Sequence, residues 1–552
     1  MSTAKDADSS IHQDEDIAKP AGGEASAYDA AKHGDRAMQL IGSDRVVLTE
    51  EDNKRIKRKT DRAILVILVW VYFLQILDKS VLGYAATFGL RESTGLTGSQ
   101  YSLLGSIAPI AQLAWQPFSS FLIVRVPHRI LMPSLVLGWG IASTAIAGCH
   151  NFQSLLAARF FLGLFEAGCL PLFSVITSQW YRRAEQPLRI AAWYGTNGIA
   201  TIVASGLSYG LGHIQSPLLE SWQIIFLFVG LITIATAPWI YWKLDNDIPS
   251  ARFLSEEDKP KAIERLRANQ TGTGSQEFKW EHVREMFLEP KTYLWVALSL
   301  FVNAGASVTN TFGPLIINGL GFDKYKTSLL NIPFGFVQWL IILLASWVVQ
   351  RFRIKSAVMV AFVLPVIAGL AVLYTIPRTP GHSAPLLVGY YLLAFLFGTI
   401  PVEVAWIVAN TAGTTKKSTI MSVYNAASST GNIIGPIVFN SKDAPNYFPG
   451  LRVVLGFFVG TAACAILQAV NLAFLNKMQE RRRVQNGKPA KIKDTSMSDT
   501  YQDLVADESS SGVDGAQGSA AEQGAAGQQS RIGQNAFADM TDRENDEFVY
   551  LL

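Results

Sequence analysis

From about residue 60 to about residue 480 the chain alternates long apolar runs with short polar connectors. Each run is close to the roughly 20 residues that a helix needs to cross a bilayer while satisfying its own backbone. Twelve spans are predicted. The first six lie at 62–83, 100–123, 129–149, 152–180, 188–212 and 222–243, and the last six at 292–317, 326–350, 355–376, 385–411, 418–440 and 450–474. A long polar connector, 244–290, separates the two sets. Within it LSEEDKPKAIERLRANQ alternates charges with Ala, Ile and Leu, and Pro260 tolerates only an early helical position, so a short amphipathic helix is expected to start near Asp258.

The connectors fall into two chemical classes. One set holds KRIKRKTDR, RVPHR, YRRAEQPLR, RFRIK, TKK and KMQERRR; the other holds RESTG, GCHN, IQSPLLES, GFDKYK, IPRTPGHS and SKDAPNYFPG. Basic connectors mark the cytoplasmic side, so both tails are expected there. Residues 1–60 and 477–552 are too polar to bury a core and are expected to be disordered, leaving six-helix bundles at 61–243 and 291–476 joined by the 244–290 linker.

Composition supports an integral membrane protein: 49% of residues are hydrophobic, 16% are charged, and the mean hydropathy is +0.22. The net charge of +3 is small and its basic residues flank spans, which argues against a nucleic-acid face. Cys149, Cys169 and Cys464 have no metal-ligand spacing and form no disulfide framework. No catalytic triad, phosphate-cradling loop or metal cluster is visible, so neither an enzyme nor a cofactor is expected. The N-terminus has no apolar core near its start, which argues against a cleaved signal peptide.

The halves echo each other. SFLIVRVPHR after span 2 aligns with SWVVQRFRIK after span 8, matching Ser120 with Ser346, Arg125 with Arg351 and Arg129 with Lys355. GTNGIA in span 5 parallels GNIIGP in span 11. The expected class is an all-α membrane protein of two repeated six-helix halves, the architecture of a secondary transporter.

Ionisable residues inside such spans are costly and by default functional. In RFFLGLFEAG of span 4, Arg159 and Glu166 are two turns apart on one face, roughly 10 Å along the axis, too far for a direct contact. Gly163 and Gly168 beside them permit close helix packing. Asp78 and Lys79 close the apolar run of span 1. Glu403 in GTIPVEVAWIVAN of span 10 reads equally as a further proton or substrate site and as a carboxyl paired with an unseen donor.

LDKSVLGYAATFGL, LAWQPFSSFLIVRVPHR, RFFLGLFEAGCLP, WYRRAEQPLR and YNAASSTGNIIGPIVF together resemble the major facilitator superfamily, and within it the anion:cation symporter family with its fungal allantoate permease group. The resemblance covers about residues 60–480. The chain departs from the superfamily's GxxxDRxGRR loop, with Val124 at the acidic position and Pro127 at the second glycine, while Arg125 and Arg129 remain. Span 5 lacks the Gly-Pro signature of many drug/proton antiporters.

The resemblance implies a twelve-helix major facilitator fold in which Asp78 and Glu166 are proton sites and Arg159 lies between them. With spans 1 and 4 adjacent, one arginine balances one carboxylate and the other is left to bind a proton. Arg159 would grip an anion through its fork of donors. Trp115, Gln116, Asn197, Asn303, Asn310 and Asn425 are candidate walls and donors, each equally able to pack helices. Lys79 reads as a substrate contact or as a lysine that snorkels or pairs with Asp78. Arg125, Arg129, Arg351 and Lys355 are the candidate gating-loop residues.

The expected function is uptake of a small organic anion with protons by alternating access, by a monomer in the plasma membrane whose only other partner is the lipid bilayer. An efflux antiporter and a non-transporting nutrient receptor are the rival readings. Allantoate, nicotinate, pantothenate, ureidosuccinate, sulfonates and short peptides are the substrates that the resemblance suggests.

Overall fold

The computed structural model describes residues 46–492 apart from 88, 213, 215, 270–276, 319–323, 378–381 and 439–447, together with Ser496 and 538–552. Among the described residues twelve helical spans follow the expected order. Span 1 is Val66–Thr87, reached from a preceding helix Glu50–Thr60 through a π-turn, Asp61–Leu65. Spans 2 and 3 are Gly98–Arg125 and His128–Ile146. Span 4 is broken into Phe152–Glu166 and Cys169–Trp180, and span 5 into Gln186–Tyr194 and Thr196–Gly212; span 6 is Ser221–Lys243. In the second half, spans 7 to 9 are Pro290–Asn318, Lys324–Phe352 and Lys355–Thr375. Span 10 runs from Ser383–Leu392 through a 3-10 turn into Leu396–Ala409, and spans 11 and 12 are Thr414–Val438 and Phe448–Gln485.

Nine helices among the described residues are apolar and long enough to cross a membrane by composition alone. Spans 5, 7 and 11 complete the twelve. Span 11 is rich in Ser, Thr and Asn, and its residues 414–429 are all buried or half-buried, because it faces the protein instead of lipid.

The packing repeats as the sequence echo predicts. Span 1 packs on span 5 as span 7 does on span 11; span 3 on span 6 as span 9 on span 12; span 2 on span 4 as span 8 on span 10. The halves then meet through spans 2 and 11 and through spans 5 and 8. At the second junction the backbones are so close that a Cβ on Gly198 would lie 2.3 Å from the Gly335 carbonyl oxygen. Gly163 likewise sits against the Ala108 backbone of span 2, where a Cβ would fall 2.5 Å from its oxygen.

The two ends of the bundle differ. On the face that carries the basic connectors, the Cys169–Trp180 part of span 4 and the Gln186–Tyr194 part of span 5 both pack on the Leu396–Ala409 part of span 10, so the halves are shut there. The linker helix Asp258–Arg267, beginning where expected, lies under the same face. It pairs with Glu50–Thr60: Asp258 accepts from Arg55 at 2.6 Å and Lys59 at 2.7 Å, and Lys261 reaches Asp52 at 2.9 Å.

The described parts of both tails therefore depart from the expectation of disorder. Glu50–Thr60 is helical because its charges find partners on the linker, and span 12 continues past the predicted 474 to Gln485. Residues 538–552 pack against the basic face, where Phe548, Tyr550 and Leu551 are buried. Composition over the whole tail hid this short apolar stretch. Residues 1–45 and 497–537 lie outside the described residues.

Candidate functional site

The break in span 4 organises the site. Pro171 has no N–H, so the Ala167 carbonyl four residues earlier has no intrahelical donor. Side-chain amides replace it: Gln116 of span 2 donates to the Ala167 oxygen at 3.2 Å and Asn425 of span 11 at 2.9 Å. Gln75 of span 1 donates to the neighbouring Glu166 oxygen at 3.4 Å. Span 4 is thus pinned, one residue from its buried glutamate, by helices of both halves.

Four charged side chains converge beside this break. Asp78 and Glu166 are buried, Arg159 is 4% exposed, and all three lie within electrostatic reach of one another and of Lys79. The Ser143 hydroxyl of span 3 donates to one Asp78 oxygen. Gln112 of span 2 donates to Glu166 Oε2 at 3.1 Å, and Lys79 Nζ stands 3.7 Å from that same oxygen. The Lys79 side chain is 43% exposed, whereas that of Glu166 is fully buried.

Several polar atoms here are buried without a hydrogen-bond partner among the described residues: Asp78 Oδ2, Glu166 Oε1, and Arg159 Nε and Nη1. Leaving charged atoms unpaired in a low-dielectric interior is expensive. Three neighbouring ionisable residues that each carry such an atom mark this cluster as the candidate site.

The structure brings together Asp78, Lys79, Arg159 and Glu166 and corrects the charge count. Lys79 pairs with Glu166, not Asp78, so two cations face two carboxylates and the arginine does not stand alone. Gln116 and Asn425 spend their amides on the Ala167 carbonyl and hold helices together. Asn303 donates to Ser299 O at 2.8 Å, and Asn197 donates to the Tyr72 hydroxyl at 3.3 Å. Trp115 is half-buried, its ring lies 5.2 Å from that of Phe118 in a tilted arrangement, and its buried indole N–H has no described partner. Asn310 lies on the helix of span 7, and its side chain is outside the described residues.

Glu403 stands apart from the four. It is fully buried, both oxygens lack a described hydrogen-bond partner, and Tyr194 of span 5 and Tyr424 of span 11 are within its electrostatic reach. Tyr72 completes this cluster, its ring 5.5 Å from that of Tyr194. These aromatic residues lie on the basic side of the four charges along spans 1, 5 and 11 and separate them from the shut face.

Of the loop residues, Arg129 donates to the Tyr241 carbonyl at 2.9 Å and lies 4.9 Å above the Tyr241 ring, so it caps span 6. Arg125 and Arg351 are exposed. Lys355 is buried, and its backbone N–H donates to the Leu552 oxygen at 2.7 Å. Sequence reasoning missed Gln75, Gln112 and Ser143. The first two had a signal: Gln75 lies one turn before Asp78, and Gln112 one turn before Gln116. Ser143, in GIASTAIAG, had none. Among the described residues no group of His, Cys, Asp and Glu could hold a metal.

A family model described as Major Facilitator Superfamily matches residues 68–436. The chain is 31% identical over 458 residues to the uncharacterized transporter C757.13 of Schizosaccharomyces pombe, covering 81% of this chain and 84% of that one. It is 32% identical over 440 residues to the thiamine pathway transporter THI73 of Saccharomyces cerevisiae, covering 79% and 82%. Among solved structures it resembles the proton:xylose symporter XylE, with a TM-score of 0.60 at 13% identity over 74% of this chain and 94% of that one. The human organic anion transporter MFSD10 gives a TM-score of 0.55 at 15% identity over 73% and 99%. Identities this low speak to the fold alone.

Proposed function

The chain belongs to the major facilitator superfamily, and from that premise we propose that this membrane transporter moves a small organic anion together with a proton. The observation that carries the reading is the set of two cations and two carboxylates in which Asp78, Arg159 and Glu166 are buried with unpaired atoms and Lys79 is partly exposed. With all four groups ionised the set is neutral. A bound monoanion alone would leave one net negative charge in a poorly solvated site, which is costly. An anion and a proton together restore neutrality. That balance is a physical basis for coupling, and it survives the correction to the charge count.

In this mechanism Arg159 offers its fork to the anion, Lys79 is drawn from Glu166 toward it, and Glu166 or Asp78 takes the proton. The loaded halves then rock about the junctions of spans 2 with 11 and 5 with 8. The Lys and Arg content of the basic face and the tails supports a cytoplasmic position, so the face shut by spans 4, 5 and 10 is read as the inner one. We take the plasma membrane as its location and the monomer as its unit. Within the superfamily the motifs resemble those of the anion:cation symporters of the allantoate permease group, which supports an organic anion as the substrate. The name of the yeast relative keeps metabolites of a vitamin pathway among the substrates to be tried.

The test is uptake of labelled organic anions by purified protein in vesicles, with and without an inward proton gradient, after a screen at external pH 5 and 7. The parent should concentrate one of these anions when the gradient is imposed. Glu166→Gln should abolish that concentration while one-for-one anion exchange continues. Normal gradient-driven accumulation by Glu166→Gln would remove this residue from the coupling. Outward movement of substrate against incoming protons would replace symport by antiport.

A further inference from the structure

On the basic face the two halves close around a third body. Residues 538–552 fill the crevice between them. The Asp542 carboxylate is buried against Lys291 of span 7, lies 3.0 Å from Lys416 of span 11, and accepts from the Tyr550 hydroxyl at 2.8 Å. Burial alone would raise this carboxyl; the Lys291 and Lys416 ammoniums outweigh it and hold it well below the usual carboxylate range. Further along, the Trp406 indole donates to the Leu551 oxygen at 2.8 Å, and the Asn410 side chain accepts from Leu551 N at 2.7 Å and donates to its oxygen at 2.9 Å. Asn476 of span 12 makes a similar pair of bonds with Tyr550, each at 2.8 Å.

All of those partners belong to the second half. The first half is engaged through Arg183, in the loop after span 4. Its guanidinium lies 4.4 Å above the Phe548 ring, and Nη1 donates to the Val549 oxygen at 3.2 Å. The segment also ties down the linker: Lys279 lies 3.1 Å from Asp539, and Thr541 donates to Glu285 at 3.0 Å.

We infer that the crevice between the two halves on the basic face is a docking surface for residues 538–552, and that its occupation latches the transporter in the state shut on that face. The contacts divide into two kinds. Those to spans 7, 10, 11 and 12 move with the second half as one body and persist in either state. Those to Arg183 exist only while the first half is close. A ligand shifts a two-state equilibrium by its difference in affinity for the states, so the Arg183 contacts set the size of the effect. A partly desolvated cation–π pair with a charged hydrogen bond corresponds to about tenfold in the ratio of the two states. Attachment to the same chain makes the segment's local concentration high, so docking does not require tight intrinsic binding.

The inference rests on the reading of a transporter whose halves rock, and its test needs neither substrate nor proton. Spin labels at Lys243, at the end of span 6, and Phe352, at the end of span 8, report the separation of the halves; both side chains are exposed. A label at exposed Arg543 in a separate sample reports docking. The background is the full chain with Cys149, Cys169 and Cys464 changed to serine. In Asp542→Asn combined with Phe548→Ala, the Arg543 label should become mobile and the longer-distance population should grow about tenfold relative to the shorter one. A synthetic peptide of residues 538–552 should restore the short distance.

Phe548→Leu keeps an apolar side chain and removes the ring beneath Arg183. It should shift the distances in the same direction with the Arg543 label still immobile, and it carries the test if the double variant does not fold. A mobile Arg543 label with unchanged distances would overturn the latch, as would an immobile label in the double variant or a peptide without effect. A substrate or coupling assignment that failed in vesicles would leave these distances untouched.

Discussion

Glu185 on the basic face and Glu166 in the middle of span 4 are both buried carboxylates, and their surroundings differ in kind. Glu185 takes two hydrogen bonds from one Arg265 nitrogen, at 2.7 and 2.6 Å, and that guanidinium is held in turn by Asn53 at 2.8 Å. Glu166 has one amide on one oxygen, a lysine at 3.7 Å, and a second oxygen with no described partner. The first arrangement is complete and joins the span 4–5 loop, the linker helix and the N-terminal helix. The second is incomplete beside an exposed lysine. A charge that has every partner has no room for a ligand or a new proton; a charge that lacks some can exchange them.

The comparison can be broken most sharply on the basic face. Arg265→Ala strands Glu185 in a buried site, and removal of one member of such a pair costs about 3–5 kcal/mol. Thermal unfolding in detergent should show that loss together with reduced yield. A variant as stable as the parent would mean that the network is decoration.

Next in size is Arg159→Ala. With its partners already sparse, it should cost less in stability than Arg265→Ala and weaken binding of the transported anion by about 100-fold, the scale for a lost buried charge partner. Binding titrations against neutral analogues would check it, since only anions should lose affinity.

Asn425→Ala removes a single neutral hydrogen bond and should destabilise the shut basic face by about 1 kcal/mol. Spin-label distances or thermal shift would detect a change of this size, and a null result would return Asn425 to the pool of substrate contacts.

The smallest expected effect is that of pH on the basic face. Burial would raise Glu185, but Arg265, Arg189 and Arg182 together hold it below the ordinary glutamate range. A carboxyl lowered in the folded state contributes stability that is fully present above its unfolded value, near 4.3, and is lost as pH falls through the folded value. Hydrogen exchange in the 181–185 loop should therefore be flat in protection from about pH 8 to pH 5 and weaken only under stronger acid. A midpoint near neutrality would contradict the pairing.

The sequence was most legible where a charge stands in apolar surroundings. Asp78, Arg159 and Glu166 are conspicuous because little else in their spans is ionisable, and the twelve spans and their repeat follow from hydropathy and basic connectors. Partner identity was less legible. Lys79 follows Asp78 in the chain but turns to Glu166, because neighbours in a helix point about 100° apart and the choice is made by another helix. Gln112 and Ser143 are of types that occur in many membrane helices without function, so only the fold singles them out. The docked 538–552 segment was hidden for a third reason: averaging over a long polar tail concealed a few apolar residues with acidic anchors.

Pro171 works by omission. Most prolines in helices are discussed for the bend they impose, but this one leaves an acceptor that its own helix cannot use. That acceptor, the Ala167 oxygen, is where an amide from each half meets. A residue with an N–H at 171 would let span 4 close its own ladder and compete with Asn425 for the bond. The two halves would then lose a shared grip one residue from Glu166, so an event at the carboxylate and a movement of span 11 would be less tightly joined. In that sense the two halves share, beside the candidate site, an acceptor that the backbone of span 4 leaves free.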